Sequence, residues 1–111
     1  MNSRAKGASG ERELAHELEK YGFKTRRGQQ YSGANGDADV EGVPGLHIEC
    51  KRVERLNIQE AMKQSRRDAR AGEIPVVMHR KNRDTWLVTI DLDNFMKIWK
   101  GEDDEQQPNT M

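Results

Sequence analysis

The stretch from Ala38 to Arg52 constrains the fold more than any other. Ala38 to Glu41 and Leu46 to Arg52 each read as a strand, and Gly42-Val43-Pro44-Gly45 between them has the composition of a turn, so the spacing predicts a β-hairpin. Side chains two apart on a strand point the same way. Glu49 and Lys51 therefore share one face, and Ile48 and Cys50 the other. The hairpin brings its first strand alongside, so that Asp39 projects towards the face of Glu49. Leu46, Ile48 and Val53 lie close by in sequence, and a merely solvated strand would need no such apolar neighbours.

Elements on either side can be read from periodicity. Ser9 is placed to cap a helix carrying Leu14, Ala15, Leu18 and Tyr21 on one face, with Gly22 as its stop. Phe23 to Arg27 reads as a short strand, and Gly28 to Gly36 as a polar, glycine-rich loop. After the hairpin, Asn57 and Glu60 resemble a capping box ahead of Ile58, Ala61, Met62, Ser65 and Ala69, a helix closed by Gly72. Ile74 to His79 and Thr85 to Ile90 read as strands joined by a polar turn. Asp91 caps a last helix with Leu92, Phe95, Met96 and Trp99 as its apolar stripe. The expected order is α-β-β-β-α-β-β-α, an α/β fold with one central mixed sheet flanked by helices.

With 111 residues the chain fits one domain, expected over residues 1–100, with 101–111 as an acidic, disordered tail. A third of the residues are hydrophobic and another third charged, so the core must be thin, and a dimer would supply further burial. The formal charge is zero, yet Glu102, Asp103, Asp104 and Glu105 all lie in the tail. Residues 1–100 thus hold all 19 basic residues and 15 of the 19 acidic ones, which makes the body modestly basic. Cys50 is the only cysteine, which excludes an intrachain disulfide and a thiolate cluster and points to a cytoplasmic setting. The opening residues carry no apolar run behind their positive charges, and no stretch of 18 apolar residues occurs, so neither export nor membrane insertion is expected.

Two carboxylates beside an amine suit phosphodiester chemistry. Mg²⁺ takes hard oxygen ligands, commonly one or two carboxylates with water and phosphate, which Asp39 and Glu49 would provide. Lys51 would orient the attacking water or stabilise charge on the phosphorane-like transition state. With 11 Glu and 8 Lys, a Glu-x-Lys triplet is expected about once by chance, and its plain alternative is a cross-strand salt bridge. The combination with Asp39, the glycine-rich approach and the capped helix after the strand is rarer. Lys63, Arg66, Arg67 and Arg70 run along the second helix, as a phosphate-contacting or a wet face. Gln59 and Gln64 could reach the site from the same helix. His16, His47 and His79 have no spacing of a zinc site and are assigned no role. Trp86 and Trp99 are expected in the core, and Cys50 faces away from the site by strand parity.

Gly10-Glu11-Arg12-Glu13-Leu14, Leu18, Gly22-Phe23, Arg27, Ser32-Gly33, Asp39-Val40 and Ile48-Glu49-Cys50-Lys51 together resemble, in order, the PD-(D/E)XK nuclease superfamily. Within it the likeness is to the archaeal-type Holliday junction resolvases and their phage relatives, over residues 7 to about 79. That resemblance implies a restriction-endonuclease-like fold and a metal-dependent DNA endonuclease of branched DNA in recombination, replication or repair. It implies Mg²⁺ or Mn²⁺ as cofactor, a homodimer, and no small-molecule substrate. Glu11, Asp39, Glu49 and Lys51 would be catalytic, with Glu11, Asp39, Glu49 and the Cys50 carbonyl at the metal. Arg12, Arg27, Ser32, Arg66 and Arg67 would contact DNA. Ala38 stands where the superfamily has its proline, and Asp37 competes with Asp39 as the ligand, an alternative that loop length leaves open; Val40 after Asp39 favours the latter. The rival readings are a non-catalytic DNA-binding protein that keeps the fold, and a nuclease for single-stranded, flap or duplex DNA. A phage origin fits the relatives it resembles.

Overall fold

The computed structural model describes residues 3–28 and 38–101, with side chains from residue 7 onward. Strand β3 (Leu46–Arg52) is its axis. On one side it pairs antiparallel with β2 (Val40–Glu41), which pairs antiparallel with β1 (Arg26–Arg27). On the other it runs parallel to β4 (Ile74–Arg80), which is flanked by antiparallel β5 (Leu87–Ile90). The five strands stand in the order β1-β2-β3-β4-β5. A parallel pair cannot be joined by a tight turn, and α2 (Ile58–Asp68) provides the crossover between β3 and β4. Helices α1 (Ser3–Glu19) and α3 (Leu92–Lys100) complete the order expected from the sequence.

Strand parity sorts the packing into two layers. Ile48 and Cys50 of β3, with Val76 and Met78 of β4 and Val40 of β2, close on Leu14 and Ala15 of α1. Val77 packs instead against Ala61 and Met62 of α2. Full burial of a side chain such as Ile48 contributes roughly 1.5–3 kcal/mol, and few side chains reach it, as the low apolar content requires. Ser65 of α2 is tied to the sheet as well, its hydroxyl donating to the Val76 carbonyl at 3.0 Å.

Two glycines permit close approaches that position the site. A Cβ on Gly10 would stand 2.7 Å from the Cβ of Arg52, so α1 crosses β3 at this point without room for a side chain. A Cβ on Gly28 would meet the Ala38 carbonyl oxygen at 1.9 Å, and the Gly28 amide donates to the Asp39 carbonyl at 2.8 Å. The chain is therefore clamped at both ends of residues 29–37, which lie outside the described residues together with Ser32 and Asp37. Residues 102–111, and with them the tail expected to be disordered, lie outside as well.

Several local expectations are corrected. Helix α1 begins at Ser3, so Ser9 lies inside it and is not its cap, and Tyr21 is exposed beyond its end. Strand β1 is limited to Arg26–Arg27, and β5 begins at Leu87 rather than Thr85. Helix α2 does start after Asn57, whose side chain accepts from the Glu60 amide, but it ends at Asp68 because Ala69 is extended; Gly72 (φ +87°) serves the following turn. The largest difference is α3. Its stripe of Leu92, Phe95, Met96 and Trp99 is exposed, Trp99 by 75%, and the helix has no buried residue. Trp86, by contrast, is partly buried against the core as expected.

Candidate active site

Pairing of Val40 with Ile48 brings Asp39, just ahead of β2, alongside Glu49. The Asp39 amide donates to the Ile48 carbonyl at 2.9 Å, and Asp39 Oδ2 accepts from the Cys50 amide at 2.8 Å. Backbone and side chain are thus both pinned to β3. Helix α1 contributes Glu11 one residue after the Gly10 crossing. Glu11, Asp39, Cys50, Lys51 and Gln64 all line one cavity of about 300 Å³, open between α1, β3 and α2.

The electrostatics of the cavity are dominated by carboxylates. Burial first, and then the negative charges of Glu49 and Glu11, push the Asp39 pKa up from 3.8 to about 7 against the opposing Cys50 hydrogen bond. Three acids converging in a partly dry site repel one another unless a proton or a cation stands among them. Glu11 Oε1 also accepts from Arg27 Nε at 2.7 Å, so Arg27, expected at DNA phosphates, is held against the acid cluster. Lys51 Nζ reaches Gln64 Oε1 at 3.4 Å, which places the polar residue of α2 at the site.

The buried side of β3 holds a residue to which the sequence assigned no role. Glu49 and His47 are each 1% exposed, and His47 Nε2 lies 2.8 Å from Glu49 Oε2. His47 Nδ1 has no hydrogen-bond partner, and its closest charge is Glu73 Oε1 at 3.6 Å. Burial opposes protonation of His47, but the hydrogen bond with Glu49 and the charges of Glu49, Glu73 and Asp68 outweigh it and raise its pKa above the usual imidazole value. His47, Glu49 and Asp68 each offer a donor atom within 4.8 Å of the others. Strand parity was the available signal, since His47, Glu49 and Lys51 all lie on the same side of β3.

The other expected DNA-contacting residues are dispersed. Arg12 is exposed on α1. Arg66 makes a bidentate ion pair with Asp91, with contacts of 2.6 and 3.1 Å, and Arg67 meets Asp68 at 3.4 Å, so both are engaged within the chain. Arg52 and Arg80 both bind Glu13, Arg52 at 2.9 Å. The Cys50 thiol packs in the core cluster and burial raises its pKa, and its amide serves Asp39.

A family model described as "Phage putative PDDEXK endonuclease" matches residues 2–110. The chain belongs to this family. Among solved structures, Hjc from Archaeoglobus fulgidus, a Holliday junction resolvase from an archaeal hyperthermophile, is similar with a TM-score of 0.53 and 24% identity. The match covers 77% of this chain and 72% of that one, and it shows that the fold is shared. Comparison with curated proteins gives no match. For a PDDEXK endonuclease, an acidic cavity with a lysine on the central strand is the expected form of the site, and the divalent-metal use of such nucleases agrees with its hard oxygen donors.

Proposed function

We propose that the chain is a Mg²⁺- or Mn²⁺-dependent DNA endonuclease whose substrate is branched DNA, of the four-way junction type, and that it acts in recombination, replication or repair. The observation that carries this reading is the cavity lined by Glu11, Asp39 and Lys51, with buried Glu49 against Asp39, whose pKa is pushed up to about 7 by burial and by its acidic neighbours. Such a cluster favours a cation. Glu11, Asp39 and Glu49 would hold the ion, as an all-oxygen donor set suited to Mg²⁺ or Mn²⁺. When bound, the ion supplies Lewis acidity to the scissile phosphodiester and makes water a stronger acid.

The remaining work falls to the chain. Lys51 Nζ, with Gln64 restraining it from α2, donates to the attacking water or to a phosphate oxygen as negative charge builds up there. Water oxygen bonds to phosphorus as its proton passes to solvent, the bond from phosphorus to the leaving sugar oxygen breaks, and that oxygen takes up a proton from solvent. Arg12, exposed beside Glu11, and the residues around Ser32 serve phosphate contact. Arg27 acts first as the partner of Glu11, and a role for Arg66 and Arg67 on DNA requires release of Asp91 and Asp68.

We also propose a homodimer. The support is α3, whose exposed Leu92, Phe95, Met96, Ile98 and Trp99 form an apolar surface of the kind that marks protein contacts. A dimer presents two sites to one branched substrate. Among the described residues no helix is long and apolar enough to cross a membrane, and the compartment that fits the reading is the cytoplasm of a phage host. The deciding experiment incubates the protein with labelled four-way, flap, duplex and single-stranded DNA and Mg²⁺, beside Lys51→Ala. Preferential junction cleavage lost in Lys51→Ala supports the reading. Preference for duplex ends the junction assignment, and no cleavage of any DNA leaves the binding-only alternative.

A further inference from the structure

We infer that His47 is the positioning residue for Glu49, fixing that carboxylate for the divalent ion through a buried Nε2 to Oε2 hydrogen bond. The inference rests on the metal-dependent reading above and adds a residue to its machinery. A glutamate has three side-chain torsions and, left alone beside Asp39 and Glu11, would swing away from their negative charge. Here that freedom is removed. His47 lies two residues earlier on the same strand, is 1% exposed, and meets Glu49 Oε2 at 2.8 Å. The His47 main chain is fixed by pairing with β4 and by the Ser65 hydroxyl donating to its carbonyl at 3.4 Å, and burial of the imidazole leaves the ring little room to turn.

With Oε2 engaged, Oε1 is the oxygen left for Asp39 and a cation. Outer partners that hold a ligating group commonly change metal affinity 10–100-fold when removed. The buried Nδ1, with Glu73 at 3.6 Å and no hydrogen bond, shows that the ring is not oriented by its far side. The ring's one hydrogen bond is thus directed at Glu49. Gln64 plays the matching part for Lys51, so Glu49 and Lys51 each have a polar neighbour that restrains them.

The test is calorimetric titration of the metal-free protein with Mn²⁺ for wild type, His47→Met and His47→Gln, each checked by circular dichroism. Glutamine can place an amide donor near the Nε2 position, whereas methionine fills the volume without a donor. Wild type should bind, His47→Met should bind about tenfold more weakly or worse, and His47→Gln should recover most of the loss. Equal affinity in His47→Met and wild type overturns the inference while leaving the metal-dependent reading intact. Absence of binding in the wild type overturns that reading, and this inference with it. Should His47→Met fail to fold, nitrogen NMR of histidine-labelled wild type decides. Saturating Mg²⁺ should move the His47 Nε2 resonance and leave those of His16 and His79 in place, and an unmoved His47 resonance in protein shown to bind Mg²⁺ overturns it.

Discussion

Strand β3 and helix α3 make opposite use of alternating sequence. On β3, apolar Ile48 and Cys50 go into the α1 layer, and the polar side chains of the other parity are buried as well, His47 and Glu49 as fully as any core residue. On α3, a regular apolar stripe is left in the open, with Phe95 and Trp99 stacked on each other at 6.2 Å between ring centroids. Polarity alone thus predicts neither place. What differs is the surrounding chain. β3 is paired on both edges and covered by two helices, so whatever it carries is enclosed. α3 follows the edge strand β5 and has no buried residue.

The contrast can be broken most decisively at the site. Lys51→Ala and Glu49→Gln should each lower DNA cleavage by roughly 10²-fold or more, the scale of losing a group aimed at transition-state charge, measured as single-turnover rates. Trp99→Ala should leave single-turnover rates nearly unchanged when dimer is saturated. Equal losses from both regions would mean that α3 belongs to the reaction. Stability should separate them next. Ile48→Ala should cost about 2–5 kcal/mol by denaturant unfolding, whereas Leu92→Ala in dilute protein should stay within about 0.5 kcal/mol.

A smaller effect concerns pH. The folded chain holds a proton on Asp39 up to about 7, while an unfolded chain releases it near 3.8, so metal-free stability is greatest in acid and falls as pH rises through about 7. Asp39→Asn should flatten that slope, followed by thermal melts from pH 4 to 8, and a slope kept in the variant would place its origin elsewhere. The apolar stripe can be sharpened by sedimentation, where Phe95→Ser with Trp99→Ser should weaken self-association at least tenfold if these aromatics are the anchors. The smallest effect is expected for Asp91→Asn. Its carboxyl is held below the usual range by its hydrogen bond with Arg66, but the pair is solvent-screened and the melting temperature should hardly move.

How much of this was legible follows the same divide. The hairpin, the element order and the shared face of Glu49 and Lys51 were readable because period-two alternation and turn composition are local signals. The α1 start was not, since Ser9 has the chemistry of a cap but lies within a helix that Ala5, Lys6 and Ala8 extend backwards. The stripe of α3 was readable as amphipathic, yet periodicity reports that a face is apolar and not what covers it. His47 was passed over because its meaning depends on the enclosure of a polar face, which only tertiary packing creates. The arginines show the same dependence on tertiary packing. Arg27, Arg66 and Arg67 look like a phosphate-facing supply in the sequence, and each finds an acid once the chain is folded.

The clamp between Gly28 and Ala38–Asp39 makes the site modular. Because the Gly28 amide donates to the Asp39 backbone carbonyl, the chain leaves and rejoins the body beside the residue whose carboxylate would hold metal. Doubling the length of such a segment costs only about 0.6 kcal/mol in closure entropy. A change in the length of this segment should therefore cost the fold little, and Asp39 at its base should stay in register with β3.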